Sequence, residues 1–187
     1  FPVVIDYTSD LFLSKYAFFT QVSQSFFKER LNASFGLRMD GSNYSKTMAN
    51  PLNQLSPSLS LNFRINESLA LNANVSRFHQ IPAYTILGYR NSLGELVNKQ
   101  NDIQYIRADH FVIGAEYRTK ASSRFTLEGF YKNYDRYPFS LKDSICLANQ
   151  GSDFGVVGNE EVKSMSQGRT YGGEFLFQQK LYKGFYA

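Results

Sequence analysis

The sequence contains few of the residues that usually perform chemistry in proteins. Its 187 residues include one cysteine, two histidines and no tryptophan. The lone Cys146 excludes a disulfide within the chain and any metal site built from paired cysteines. Neither His79 nor His110 has a second histidine or a carboxylate cluster near it in sequence, so we predict no metal site and no cofactor. No Gly-x-Ser-x-Gly elbow or phosphate loop occurs either, and we predict that the chain is not an enzyme.

Two further absences narrow the class of protein. No apolar run approaches the ~20 residues of a membrane helix, which excludes a helical membrane protein but leaves a membrane barrel possible, because barrel strands carry only an alternating signal. The 20 Lys and Arg residues exceed the 16 Asp and Glu residues by four, yet they are scattered along the chain. Proteins that bind nucleic acids cluster these residues on one face, so we expect no nucleic-acid partner.

The clearest positive signal is a strict alternation of apolar and polar residues over positions 56–80. Leu59, Leu61, Phe63 and Ile65 alternate with polar residues, and the pattern resumes at Leu69 after a short turn. The turn places Ile65 opposite Leu69 and Phe63 opposite Leu71. A slip of one residue would place polar side chains opposite apolar ones. The segment therefore predicts a β-hairpin with one apolar and one polar face.

Similar alternation predicts further strands over residues 15–24, 31–39, 111–117, 125–137 and 169–181, and the start of one more at Phe185. Pairing Phe26 with Leu31 places Val22 opposite Phe35 and Phe18 opposite Met39. The predicted fold is all-β, with about seven to eight antiparallel up-and-down strands. The strands run to roughly 10–13 residues, longer than the usual 5–6 of soluble sheets and close to the 9–11 that cross a bilayer at a tilt.

The connections between the predicted strands alternate in length. Short turns fall near residues 28, 67, 121 and 183, and long loops near residues 48, 95 and 152, so one end of the sheet has only tight turns. Bacterial outer-membrane barrels show this asymmetry. Aromatic residues flank both ends, as expected of the girdles of a membrane barrel. They are Phe26, Phe27, Tyr117, Phe125, Tyr182, Phe185 and Tyr186 beside the turns, and Phe78, Tyr84, Tyr105, Tyr134, Tyr137 and Tyr171 beside the loops.

Several segments, in this order and spacing, resemble the barrel of TonB-dependent outer-membrane receptors. They are residues 56–61, 66–69, 76–84, 108–117, 128–138 and 168–175. Ser58 departs from the family pattern, which often has arginine there. The resemblance covers most of residues 15–187.

The resemblance implies a barrel of about 22 strands with a plugged lumen, of which this chain would form about a third of the wall. Residues 1–187 would then be a partial outer-membrane barrel domain without the plug. The implied partners are outer-membrane lipid, a TonB-type energising complex reached through N-terminal parts, and an imported nutrient such as a siderophore, vitamin, glycan or peptide. The implied location is the cell outer membrane. Phe1 opens the chain without a methionine or signal peptide, which also suggests a piece of a longer protein.

Two alternatives stay open at this point: a small outer-membrane barrel with a structural or lipid-modifying role, and a soluble antiparallel binding module. The two histidines are interpreted as interfacial or loop-packing residues. Charged residues on the polar faces are interpreted as a solvated lumen wall with mutual ion pairs rather than as ligand contacts. These are Glu116, Glu128, Glu174, Arg38, Arg64, Lys132 and Lys180. Ligand contacts are expected in the three long loops, without individual residues being identified.

Overall fold

A computed structural model of the protein describes residues 8–119, 123–150 and 158–180. Its strands form one antiparallel sheet in which each strand pairs with the next, except that β8 pairs with β6 beside the very short β7. The predicted all-β, up-and-down fold is confirmed. Over the described residues the sheet is not closed, so β1 and β8 are its two edges. The strands are β1 Lys15–Phe26, β2 Leu31–Ser42, β3 Leu55–Arg64, β4 Leu69–Gln80, β5 Ile106–Arg118, β6 Ser123–Ser140, β7 Ile145–Cys146 and β8 Val162–Gln179.

The predicted registers are confirmed. Phe63 lies opposite Leu71 and Leu61 opposite Ala73 in the β3–β4 hairpin. In the first hairpin Val22 lies opposite Phe35, and Phe18 opposite Met39. The reason is the period of the strand: only this pairing keeps every apolar side chain of neighbouring strands on the same face.

The turn between β3 and β4 is fixed by its asparagine. Asn66 Oδ1 accepts hydrogen bonds from the backbone N–H groups of Ser68 and Leu69, each at 2.9 Å. The backbone N–H of Ile65 donates to the carbonyl of Leu69 at 2.9 Å. An asparagine that bonds the backbone two and three residues ahead forms a compact turn, which explains why this connection is so short.

Strands β6 and β8 are longer than the sequence predicts. Each has 18 residues, so residues 138–140 and 162–167, which we expected to be loop, belong to the sheet. The cause is an irregularity in β6, where the register shifts between Tyr134 and Tyr137 and Arg136 adopts a left-handed φ of 60°. A bulge of this kind breaks the alternation of side chains without ending the strand. The predicted turn at residues 182–184 and the strand at Phe185 lie outside the described residues.

The two faces of the sheet differ as predicted. Side chains of Leu, Phe, Val, Ile and Tyr cover one face and stay exposed, for example Ile113 at 69% and Phe175 at 68%. The other face carries mainly serine, asparagine and charged side chains. No helix among the described residues is both long and apolar enough to cross a membrane.

The buried core of the molecule lies in the long loops and not on the sheet. The described parts of three loops are residues 43–54, residues 81–105, and residues 141–150 with 158–161. They contain the short helices α1 Lys46–Ala49, α2 Tyr84–Leu87 and α3 Val97–Gln100, together with 3-10 turns at Pro51–Gln54 and Leu147–Asn149. We call the packed unit that they form the loop module. Its buried apolar residues are Tyr44, Met48, Ile86, Leu87, Ile103, Tyr105 and Leu147, and Val162 at the start of β8 belongs to the same core.

Two of the predicted girdle aromatics are placed elsewhere. Tyr105 is only 4% exposed and belongs to the core of the loop module. Tyr171 lies opposite Tyr131 in the middle of β8, because that strand begins at Val162 and not at Arg169 as predicted. Phe78 and Tyr134 do lie near the loop end, but the register places them on the polar face.

Candidate functional site

The middle of the polar face is covered mainly by small, uncharged side chains that form hydrogen bonds. Ser23 and Ser34 share a hydrogen bond of 2.7 Å, and Asn74 Nδ2 donates to Ser60 Oγ at 2.6 Å. A shallow concavity of about 360 Å³ opens on this wall. Its polar lining comes from Asn32, Ser34, Ser60, Asn62, Asn72, Asn74 and Glu128. Such a surface can exchange hydrogen bonds with water or with a polar partner at little cost.

A glycine allows one contact across three strands of this wall. Asn72 on β4 donates from Nδ2 to Glu128 Oε1 on β6 at 3.3 Å. Gly114 of β5 lies between them, and a Cβ at that position would come within 2.3 Å of Asn72 Oδ1 and 2.8 Å of Glu128 Cγ. Any larger residue would push the two side chains apart.

The ion-pair interpretation holds for some of the predicted wall charges. Glu116 contacts Arg118 at 2.5 Å and Arg124 at 2.7 Å near the short turns, and Arg38 pairs with Asp40 at 2.6 Å. The other five predicted side chains lack ion pairs in the described ranges. Glu128 and Glu174 face each other across β6 and β8, Lys132 Nζ lies 4.9 Å from the ring centroid of Phe130, and Arg64 and Lys180 are exposed.

An aromatic row crosses the polar face close to the loops. The ring centroids of Phe78 and His110 are 4.9 Å apart, and those of His110 and Tyr134 are 6.3 Å apart. His110 lies within β5 and not just before it, as the predicted strand over residues 111–117 implied, because β5 begins four residues earlier at Ile106. It is instead the middle member of the row, with Phe78 half exposed at 48% beside it.

A cavity of about 450 Å³ adjoins this row. Tyr134, Gly168 and Thr170 form its floor on the polar face of β6 and β8, while Cys146 and Asn149 come from the third long loop. Gly168 leaves the floor open, since a Cβ there would meet only the Cβ of Tyr134 at 3.9 Å. A concave, mostly preformed site with aromatic walls and a few polar groups is typical of small-ligand binding.

One buried asparagine joins separate parts of the loop module. Asn98 is fully buried and donates from Nδ2 to the carbonyls of Ile86 at 2.7 Å and Glu160 at 2.9 Å. Its Oδ1 accepts from the N–H of Val162 at 2.9 Å. This single side chain therefore links α2, α3 and the start of β8. Nothing in the polar segment around Asn98 distinguishes it in the sequence from its exposed neighbours.

The pKa values of two tyrosines and one aspartate reflect burial and hydrogen bonding inside the loop module. Burial raises the pKa of Tyr105 to about 12, and it also raises the pKa of Tyr44, whose hydroxyl donates to the Leu87 carbonyl at 2.9 Å. Burial alone would raise the pKa of Asp102 too. Hydrogen bonds from Thr47 outweigh that effect and hold the pKa of Asp102 below its ordinary value. Asp102 is thus a charged link between α1 and the end of the second loop.

A chain of charges lies on the apolar face, directly beyond the apolar residues of the strands. Arg77 pairs with Asp109 at 2.6 Å, and Arg107 contacts Asp109 at 3.4 Å and Asp135 at 3.0 Å. His79, as predicted, lies on this face at the outer end of β4, opposite Arg107, and its Nδ1 is 2.9 Å from Ser56 Oγ. We call this group the charged belt. In the described part of the chain no group of three or more potential metal ligands occurs, here or elsewhere.

Comparison with known proteins decides the family. Residues 2–187 match the family described as "TonB dependent receptor-like, beta-barrel". The chain belongs to the TonB-dependent receptors. The resemblance noted in the sequence is thereby confirmed, and the small barrel and the soluble module are set aside. No curated protein matches the chain significantly.

Two solved structures share the fold of this receptor barrel. The siderophore receptor PirA from Pseudomonas aeruginosa aligns over 91% of this chain and 32% of its own, with 16% identity and a TM-score of 0.65. A copper transporter, OprC, aligns over 91% of this chain and 26% of its own, with 19% identity and a TM-score of 0.60. The chain thus spans less than a third of the length of either protein.

In the barrels of this family the two faces of the wall have different surroundings. TonB-dependent receptor barrels are outer-membrane proteins, and their members are receptors and transporters rather than enzymes. In such a barrel the alternating strands face lipid on one side and the lumen on the other. By that pattern the apolar face corresponds to the lipid side of the family's barrels, and the asparagine and serine wall with the aromatic row corresponds to their lumen side.

Proposed function

We propose that this chain forms part of the wall of an outer-membrane receptor that imports a scarce nutrient, a siderophore, vitamin, glycan or peptide. The observation that carries the proposal is the aromatic row of Phe78, His110 and Tyr134 beside the 450 Å³ cavity at the loop end of the lumen face. This is where a ligand arriving from outside would first meet the barrel. Aromatic rings there offer large contact areas with little loss of conformational freedom.

Other segments of the protein are needed for the remaining steps of transport. A plug that fills the lumen and a segment that contacts the TonB-type energising complex are needed for import, and this chain supplies neither in our reading. In support, it aligns with 32% and 26% of the lengths of its two structural neighbours. The chain's own contribution is a rigid wall and a preformed mouth.

The proposal is tested with the complete receptor in a Gram-negative host. Growth is measured on ferric siderophores, cobalamin, oligosaccharides and peptides as limiting nutrients, with and without a functional TonB protein. We expect growth on at least one of these to require both the receptor and TonB. Uptake that persists without TonB, or no receptor-dependent growth on any nutrient, would overturn the proposal.

Two variants locate the site. Phe78→Ala and Tyr134→Ala should each weaken binding of the identified nutrient by about tenfold, because each removes a large contact surface at the mouth. The matched control is Ser60→Ala, which lies on the same face but away from the aromatic row. Equal losses in all three variants would show that the aromatic row is not the binding site.

A further inference from the structure

A second cavity, of about 550 Å³, lies at the loop end of the sheet beside β1. Residues 9–13 form one of its walls, and residues 84–88 of the second long loop form the other. Lys15, the first residue of β1, lies between them. Side chains alternate along a strand, so Lys15 shares the polar face with Ser23. This cavity has no lining residue in common with the one beside the aromatic row.

Two hydrogen-bond donors meet in this cavity. Lys15 Nζ donates to the hydroxyl oxygen of Tyr84 at 2.6 Å and lies 5.3 Å from the centroid of the same ring. The ammonium group has three N–H bonds and uses one of them here, so two can still donate, and the Tyr84 hydroxyl keeps its own O–H bond. Both side chains are exposed. An acceptor placed beside them would receive hydrogen bonds from a positive charge and from a phenol together.

No carboxylate neutralises the Lys15 ammonium group among the described residues. The cavity lining includes no aspartate or glutamate there, and none of the ion pairs of the described chain involves Lys15. Asp40 lies on the same face, opposite Ala17, but its two oxygens accept hydrogen bonds from Arg38 at 2.6 Å and 2.8 Å. The contact with the Tyr84 ring directs the flexible lysine towards the cavity. The cavity therefore presents one uncompensated positive charge.

One wall of the cavity is apolar. Leu11 and Leu13 line it, are half-buried, and pack against the core of the loop module. Ser9 fixes this wall, because its hydroxyl donates to the Gly88 carbonyl at 2.5 Å. The cavity thus combines an apolar surface with a pair of donors that favour an anion. A ligand that carries a carboxylate next to an apolar side chain satisfies both features.

We propose that this cavity binds a short peptide by its C-terminal carboxylate, with the last side chain of the peptide against Leu11 and Leu13. Lys15 and the Tyr84 hydroxyl donate to the carboxylate, and such charge-assisted bonds are stronger than bonds between neutral groups. Capture of a terminal carboxylate is a common mode of peptide recognition. A volume of about 550 Å³ leaves room for more than the terminal residue. The inference rests on the proposed function, since it narrows the imported nutrient to peptides.

The test is a calorimetric titration of the complete receptor, purified in detergent, with the tripeptide alanyl-alanyl-leucine. The same peptide with an amidated C-terminus is titrated in parallel, because it lacks only the negative charge. We expect the acid to bind about tenfold more tightly than the amide. Lys15→Met should lose this preference and bind the acid about tenfold more weakly. The matched control Lys99→Met, at an exposed lysine of α3 outside the cavity, should bind as the wild type does.

A second variant keeps the test decisive if Lys15→Met fails to fold. Tyr84→Phe removes only the hydroxyl and keeps the ring, so it should weaken binding of the acid and leave binding of the amide unchanged. Three results would each overturn the proposal: equal binding of acid and amide by the wild type, no binding of the acid at millimolar concentration, or wild-type affinity in either cavity variant.

Two additional measurements separate the possible failures. 4-Methylpentanoate carries the carboxylate and the side chain of leucine without a peptide bond and should bind more weakly than the tripeptide; equal affinity would refute a peptide ligand. Growth that requires TonB but is supported only by nutrients other than peptides would refute this inference and leave the proposed function standing. Peptide binding that depends on Lys15, in a receptor that imports nothing, would refute the proposed function alone.

Discussion

Replacing Asn98 by alanine should loosen the loop module without disturbing the wall. The side chain is fully buried and makes three hydrogen bonds, to the Ile86 carbonyl, the Glu160 carbonyl and the Val162 N–H. Each such bond contributes about 1 kcal/mol net, and removing the side chain leaves its backbone partners buried and unpaired. The expected loss is about 3 kcal/mol for the local opening of the module.

Hydrogen exchange measures this loss directly, because the Val162 amide bonds to the replaced side chain. A loss of about 3 kcal/mol corresponds to roughly hundredfold faster exchange, since each 1.4 kcal/mol is a factor of ten. Amides in β3 and β4 should keep their wild-type rates. The control is Asn53→Ala, an exposed asparagine with one hydrogen bond of 3.0 Å to the Thr47 carbonyl. If the Val162 amide exchanged no faster in Asn98→Ala than in this control, Asn98 would not be what joins the loops.

Two other predictions concern the lipid face and the response to pH. Leu61→Arg places a charge on the lipid face between Ala33 and Ala73, and should destabilise the barrel by about 2–4 kcal/mol in unfolding from lipid vesicles, whereas Ser60→Arg on the lumen face should cost much less. Equal effects of the two changes would contradict the assigned faces. The pKa of Asp102 is lowered in the folded protein, so its link to Thr47 stabilises the module above the unfolded value of 3.8 and is lost as the pH falls below it. Amide exchange in α1 should therefore accelerate in acid, and Asp102→Asn should remove that acceleration; an unchanged pH profile in this variant would contradict the role of Asp102.

The wall could be predicted from the sequence because its structure depends on residues that are close together along the chain. Side chains alternate with a period of two, so the faces and the β3–β4 register follow from the positions of residues such as Phe63 and Leu71 alone. The prediction was wrong where that period is broken. The bulge around Arg136 interrupts the alternation of side chains before β6 ends. The last part of β6 was therefore predicted as loop, and the predicted limits of the third loop were wrong.

The loop module could not be predicted for the opposite reason. Tyr44, Ile103 and Val162 are single apolar residues in polar segments, far apart in sequence and without a period. Tyr105 has the composition expected of a girdle residue, and only the fold shows that it is buried. The aromatic row could not be predicted for the same reason, since Phe78, His110 and Tyr134 come from three strands and are brought together only by the register of the sheet.

The core of the loop module draws its residues from three loops, so we expect it to form after the hairpins of the wall. Each strand from β1 to β6 pairs with its neighbour in sequence, so the wall can grow hairpin by hairpin through contacts that are close along the chain. The core of the loop module takes Tyr44 from the first long loop, Ile86 and Ile103 from the second, and Leu147 from the third. It cannot close until all three loops have been brought to the same end of the wall. The outer surface of the receptor therefore matures last, and a defect in any one hairpin leaves the apolar residues of all three loops exposed to water.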